Sequence, residues 1–138
     1  MILFDIDEFK KVNDMFGHAV GDRVLIQTAQ VVASQLRTTD IFGRIGGDEF
    51  LVILPETDAG QAYQMAERIR AKVAGQSVET PSQPVTVTIS IGIAGMSEDS
   101  HPDEVEALIH RADQALYAAK HAGRNRIVTL VCLGKAAS

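Results

Sequence analysis

The chain has 138 residues, 46% of them hydrophobic, and a formal net charge of −5. That is enough apolar material for one core and one domain, and too acidic a balance for a broad nucleic-acid footprint, which depends on neutralising many phosphates with Lys and Arg. The lone cysteine, Cys132, can form no internal disulfide and fits a reducing, cytoplasmic setting, and no apolar run is long enough to span a membrane.

Met1-Ile2-Leu3-Phe4-Asp5-Ile6-Asp7 is an apolar run ending on two carboxylates two residues apart, so strand alternation puts Asp5 and Asp7 on one face. A chain that opens on a strand of this buried type, with no cap or lead-in, is expected to be a piece of a longer protein. Phe9, Val12 and Phe16 then fall on one helical stripe, with Asp7 as the expected N-cap and Gly17 as the stop. The strand end and first helical turn would offer a carboxylate, the Ile6 carbonyl, and unpaired N–H groups near Glu8, Phe9 and Lys10. A divalent cation suits the first two and a phosphate the third. Gly17 to Gly21 reads as a loop, and Asp22 as the opening of a second helix that runs to about Arg37 with Leu25, Ala29, Val32 and Leu36 inward.

Strands are expected at Ile41 to Ile45 and Phe50 to Leu54, joined by Gly46-Gly47-Asp48-Glu49 and ended by Pro55. Two glycines permit a tight turn with φ > 0. The turn would present acid at a sheet edge, beside the acidic end of the first strand, and carboxylates gathered this way can hold a divalent cation that suits a nucleoside triphosphate. On a regular strand Glu49 faces away from Asp48. Asp58 is placed to cap a third helix with Ala62, Met65, Ala66, Ile69 and Val73 inward and Glu67, Arg68 and Arg70 outward.

Gln76 to Pro84 reads as a loop. Val85 to Ile93 alternates throughout and predicts a strand with one aliphatic and one small polar face. A fourth helix is expected from about Asp103 to His121, with Leu108, Ala112, Ala115, Leu116 and Ala119 inward and Gly123 closing it, then a last strand from Arg126 to Val131. Residues 134–138 are expected to form a disordered tail. The order β-α-α-β-β-α-β-α-β is an α/β (α+β) arrangement, a mostly antiparallel central sheet flanked by helices, and it resembles the ferredoxin-like palm of polymerases and nucleotide cyclases.

Asp5-Ile6-Asp7-Glu8-Phe9-Lys10, Asn13-Asp14, Gly17-His18, Gly21-Asp22, Gly46 to Phe50, Ser90-Ile91-Gly92, Ala119-Lys120 and Gly123-Arg124-Asn125 together resemble the GGDEF domain of diguanylate cyclases. The resemblance runs in register from residue 2 to about 128, and it makes residues 1–133 one such domain lacking its usual first helical segment. It implies condensation of two GTP into cyclic di-GMP with release of pyrophosphate by a homodimer. It also implies Mg²⁺ or Mn²⁺ on Asp5, the Ile6 carbonyl and Asp48, with Asp48 a candidate proton acceptor. By the same resemblance Asn13 and Asp22 bind guanine, His18 lies against the nucleotide, and Lys10, Lys120 and Arg124 balance the phosphates.

Asp22 also suits an N-cap, and Lys120 and Arg124 also suit a helix C-terminus through the macrodipole. Arg37-Thr38-Thr39-Asp40 matches the R-x-x-D pattern of the family's inhibitory site for cyclic di-GMP, with Arg68 expected to contribute. A sensory or receiver domain is expected upstream, and a membrane anchor, if there is one, in a longer protein. Two rival functions are an inactive module sensing cyclic di-GMP or GTP, and a palm-type transferase acting on longer nucleic acid, which the acidic balance opposes.

Overall fold

A computed structural model describes residues 1–95 and 105–131, which form β1 (Ile2–Ile6), α1 (Phe9–Phe16), α2 (His18–Gln35), β2 (Ile41–Arg44), β3 (Glu49–Ile53), α3 (Ala59–Ala74), β4 (Ile89–Gly95), α4 (Val105–His121) and β5 (Ile127–Val131). The sheet order is β2-β3-β1-β4-β5; the β2–β3, β3–β1 and β1–β4 pairs are antiparallel, and β4–β5 is parallel across the α4 crossover. This is the mostly antiparallel, helix-flanked sheet anticipated from the element order. Among the described residues no helix is long and apolar enough to cross a membrane.

β1 is central, which explains its unbroken apolar run. Ile2, Phe4 and Ile6 face the larger core with Val24 and Val32 of α2 and Ile69 of α3, whereas Leu3 faces the opposite layer with Leu108, Ala112 and Leu116 of α4. Phe4, Phe50 and Phe42 stack across three neighbouring strands, with ring centroids 5.1 and 5.7 Å apart. On the other face α4 sits very close to β4. A methyl group added at Gly92 would lie 2.9 Å from the Leu116 Cα, inside contact distance of helix backbone. Three alanines on α4, Ala112, Ala115 and Ala119, are fully buried in this seam.

Several local expectations change. Asp7 does not cap α1; that position is taken by Glu8 in the left-handed region (φ 56), because the Asp7 carboxylate is engaged elsewhere. Gly17 to Gly21 is not a loop, and Asp22 does not open a helix. A single glycine, Gly17 at φ 90, breaks α1 from α2, and His18 already begins α2.

β4 starts at Ile89, not Val85. Val85 pairs instead with Val78 as an isolated antiparallel bridge inside the segment expected as loop. Both valines are buried, so the alternation before Ile89 reports which side chains face the core and not a ladder. Asp58 does cap α3, through a reciprocal capping box with Gln61. The expected start of the fourth helix at Asp103 and the tail at 134–138 lie outside the described residues.

Candidate functional site

Asp5 is the centre of the site. It lies on the α4 face of β1, opposite Ser90 of β4 on one side and Glu49 of β3 on the other. Only 6% of it is exposed, its Oδ2 forms an ion pair with Lys120 Nζ, and its Oδ1 is buried with no hydrogen-bond partner. Burial pushes its carboxyl up to about 6; Lys120 pulls the other way, and the Asp48 and Asp7 carboxylates add to the rise.

Asp48 reaches this place because the β2–β3 turn folds back on the end of β1. The Ile6 amide donates to the Asp48 carbonyl at 3.2 Å. Arg44, the last residue of β2, holds the turn through Nε to the Gly46 and Gly47 carbonyls, both 3.0 Å, and Nη2 to the Gly47 carbonyl at 2.6 Å. Neither Gly46 nor Gly47 adopts positive φ, contrary to the expectation for a tight turn, and a methyl group at Gly47 would meet nothing within 4 Å. The fold itself therefore does not require glycine at Gly47.

A second group of expected residues lies where α1 meets the start of α2. Gly21 lets the two helices touch: a methyl group there would lie 3.0 Å from Asn13 Cγ and 3.3 Å from Phe9 Cζ. Asn13 is thereby brought against the residue next to Asp22, while Asp22, His18 and Lys10 are exposed around it. Asn13 carries an amide and Asp22 a carboxylate, types that could together answer the donors and acceptors of a purine edge. Among the described residues no three His, Cys, Asp or Glu side chains are grouped as a metal site. The three expected metal ligands, the Asp5 and Asp48 carboxylates and the Ile6 carbonyl, are hard oxygen groups in character.

The family model described as "Diguanylate cyclase, GGDEF domain" matches residues 1–126. The chain belongs to the GGDEF diguanylate cyclase family. Over 138 residues this GGDEF chain is 46% identical to the response regulator PleD of Caulobacter vibrioides, with 99% of the chain and 29% of that protein covered. It is 42% identical to diguanylate cyclase A of Treponema denticola over 127 residues, 92% of the chain and 34% of that protein. The chain thus spans about a third of the length of these curated relatives. Its fold is similar to the GGDEF domain of DgcB from Caulobacter crescentus, solved in complex with c-di-GMP, with a TM-score of 0.85, 33% identity, and 93% of this chain and 75% of that one covered.

The remaining expected residues of the GGDEF domain divide into two places. Arg124 follows α4 with φ 62, and its amide donates to the Ala119 carbonyl at 3.0 Å, so it lies at the same end of the sheet as Lys120 and Asp5. Arg37 and Asp40 lie at the other end of the β2–β3 hairpin. Arg37 Nη2 donates to Asp40 Oδ1 (3.1 Å), the Pro55 carbonyl (3.1 Å) and Thr57 Oγ1 (2.7 Å). Arg68 on α3 donates through Nε to Oε1 of Gln35, the last residue of α2, at 3.4 Å.

Three further residues of this region escaped the sequence reading. Glu49 is the register partner of Asp5, so it shares the α4 face; only the strand pairing reveals that. Arg44 clamps the acidic turn, and Asn125 donates its amide to Asp7. Their place within the motifs was visible, but not the contacts they make.

Proposed function

We propose that this chain is the catalytic domain of a diguanylate cyclase, which joins two GTP into cyclic di-GMP and pyrophosphate when two such domains face each other. One observation carries the reading: a buried carboxylate, Asp5, with a partnerless oxygen and a neighbouring lysine, at the strand end on which the Asp48 turn closes. An orphaned buried carboxylate oxygen is costly unless a ligand satisfies it. Mg²⁺ or Mn²⁺ fits the donor set of Asp5, the Ile6 carbonyl and Asp48. When bound, that cation neutralises triphosphate charge and lowers the pKa of the attacking 3′-hydroxyl.

The chain's own residues do the rest. Asn13 and Asp22 hold the guanine edge, with His18 alongside. Lys10, Lys120 and Arg124 supply positive charge for the phosphates, and Asp48 accepts the proton of the hydroxyl that attacks the partner nucleotide's α-phosphorus. Each domain supplies one nucleotide, so the reaction needs a homodimer. A sensory or receiver domain elsewhere in a longer protein would set the dimer's geometry. Arg37, Asp40 and Arg68 are the candidate site for inhibition by cyclic di-GMP, since guanidinium groups suit both phosphate and the guanine Hoogsteen edge.

Incubation with Mg²⁺ and GTP and analysis of the products tests the reading. The native dimer is expected to release cyclic di-GMP and pyrophosphate, and Asp48→Ala to lose turnover while melting like the parent. Product formation by Asp48→Ala at near the parent rate would remove Asp48 from the chemistry. Binding of GTP or cyclic di-GMP with no turnover by the native dimer would instead favour a sensing module.

A further inference from the structure

Asp7 takes no part in the chemistry proposed above, yet it is buried and its carboxylate is more fully engaged than that of Asp5. Oδ1 accepts from Ser90 Oγ at 2.6 Å; Oδ2 accepts from Thr88 Oγ1 at 2.7 Å and from the Asn125 amide at 3.0 Å. The last bond fixes an unusual piece of backbone. Arg124 and Asn125 are consecutive left-handed residues, φ 62 and 47. Asn tolerates that region, but for Arg it is strained, and such a conformation persists only where the surroundings over-determine it.

The surroundings do so from several sides. Asp7 takes the Asn125 amide. Arg70 of α3 donates through Nη1 to Asn125 Oδ1 at 2.8 Å, and is itself held by Glu67, with Nε to Oε2 at 2.8 Å. The Arg124 amide closes the end of α4 on Ala119, and the Arg124 carbonyl accepts from Arg126 Nε at 3.1 Å. What this turn carries is Arg124 itself and, four residues earlier on the last turn of α4, Lys120 at Asp5. A charged carboxylate is an expensive way to tie three segments together if stability alone is at stake. It is well suited to holding main chain in one strained state.

We propose that Asp7, together with Arg70 acting through Asn125, is a positioning residue that locks the Arg124–Asn125 turn so that Lys120 and Arg124 face the triphosphate end of the nucleotide. The inference rests on the GTP reading of the site and deepens it: it names what aims the phosphate-binding cations. Asp7→Asn is the sharp probe. It preserves size and, with its amide oxygen toward Thr88 Oγ1 and the Asn125 N–H and its NH₂ toward the Ser90 hydroxyl, which can accept, it removes only the charge behind the hold.

The measurement is a nuclear magnetic resonance titration, in Mg²⁺, of wild type, Asp7→Asn and Arg70→Met with a non-hydrolysable GTP analogue and, separately, with guanosine. Loss of one charge-assisted hold is expected to weaken the analogue about tenfold in Asp7→Asn. The loss of the outer contact in Arg70→Met is expected to be about threefold. Guanosine, which has no phosphates, is expected to bind all three proteins within about twofold of one another.

Unchanged affinity for the analogue in both variants overturns the proposal. Equal weakening of analogue and guanosine also does, because it marks a general structural role. If Asp7→Asn does not fold, Arg70→Met, altered at a half-buried position of α3, decides by the same comparison. Wild-type protein that binds neither ligand overturns the GTP reading and this inference with it, whereas wild-type binding with indifferent variants overturns the inference alone.

Discussion

Asp5 holds a charge-bearing group where the apoprotein gains least from it: one oxygen is paired with Lys120 and the other is buried and unsatisfied. A buried unsatisfied polar group costs about 1–3 kcal/mol, a burden that folds carry at functional sites. The same burial raises its carboxyl from the ordinary 3.8 to about 6. The folded state then binds this proton more tightly than the unfolded chain does. The Asp5 contribution is therefore most favourable below pH 3.8, declines as pH rises through the window to about 6, and stays at its lower level above it. In chelator-treated protein, Asp5→Asn is expected to remove that decline and to raise the melting temperature at pH 7.5 by about 3 °C or more. Parallel melting profiles of the two proteins between pH 4 and 7.5 would contradict the account.

At the scale of elements, the site depends on how deeply α4 seats on β4. Gly92 has no room for a methyl group against the Leu116 backbone, so Gly92→Ala must lift the helix that carries Lys120. Overpacking of this kind costs about 2 kcal/mol, and urea denaturation is expected to record that loss together with weaker nucleotide binding. A variant as stable as the parent would mean that the helix has slack. Such long-range contacts mark the limit of what is legible in sequence. The unbroken apolar run of β1, Asp58 as the cap of α3 and the inner stripes of α3 and α4 were all readable, since each is local.

Other features were not readable, for physical reasons. A single positive-φ glycine, Gly17, was enough to separate α1 from α2, so what looked like loop is the first turn of α2. Burial of Val85 imitated a strand that begins only at Ile89. Asp7 had an N-cap's position, but its partners come from residues more than eighty positions away, which no local pattern encodes. The candidate carboxylates at Asp5 and Asp48 were legible from motif and strand end; the face shared by Glu49 and Asp5 needed the strand register.

For the whole molecule, the proposed active and inhibitory sites lie at opposite ends of one hairpin. Asp48 is in the turn after Arg44, whereas Arg37 and Asp40 precede Ile41, which pairs with Ile53. Four paired residues at about 3.3 Å each separate the two places, so product bound at Arg37 does not occupy the GTP site of the same domain. Inhibition is then expected to be non-competitive with GTP, and Arg37→Ala to relieve it at least about tenfold with little change in initial rate. Measured inhibition by cyclic di-GMP that is unaltered in this variant would refute the assignment. Because Arg37 also ties the end of α2 to Pro55 and Thr57, a slightly lower melting temperature is expected as well.

The most direct test of the central idea, that Asp5 and the Asp48 turn hold one divalent cation for a nucleoside triphosphate, is a crystal structure with Mn²⁺ and a non-hydrolysable GTP analogue, read by anomalous scattering. The account predicts a manganese peak touching Asp5, the Ile6 carbonyl and Asp48, with the triphosphate alongside and Lys120 turned toward it. A peak elsewhere, or an analogue seated with Asp5 still paired only to Lys120, would contradict it.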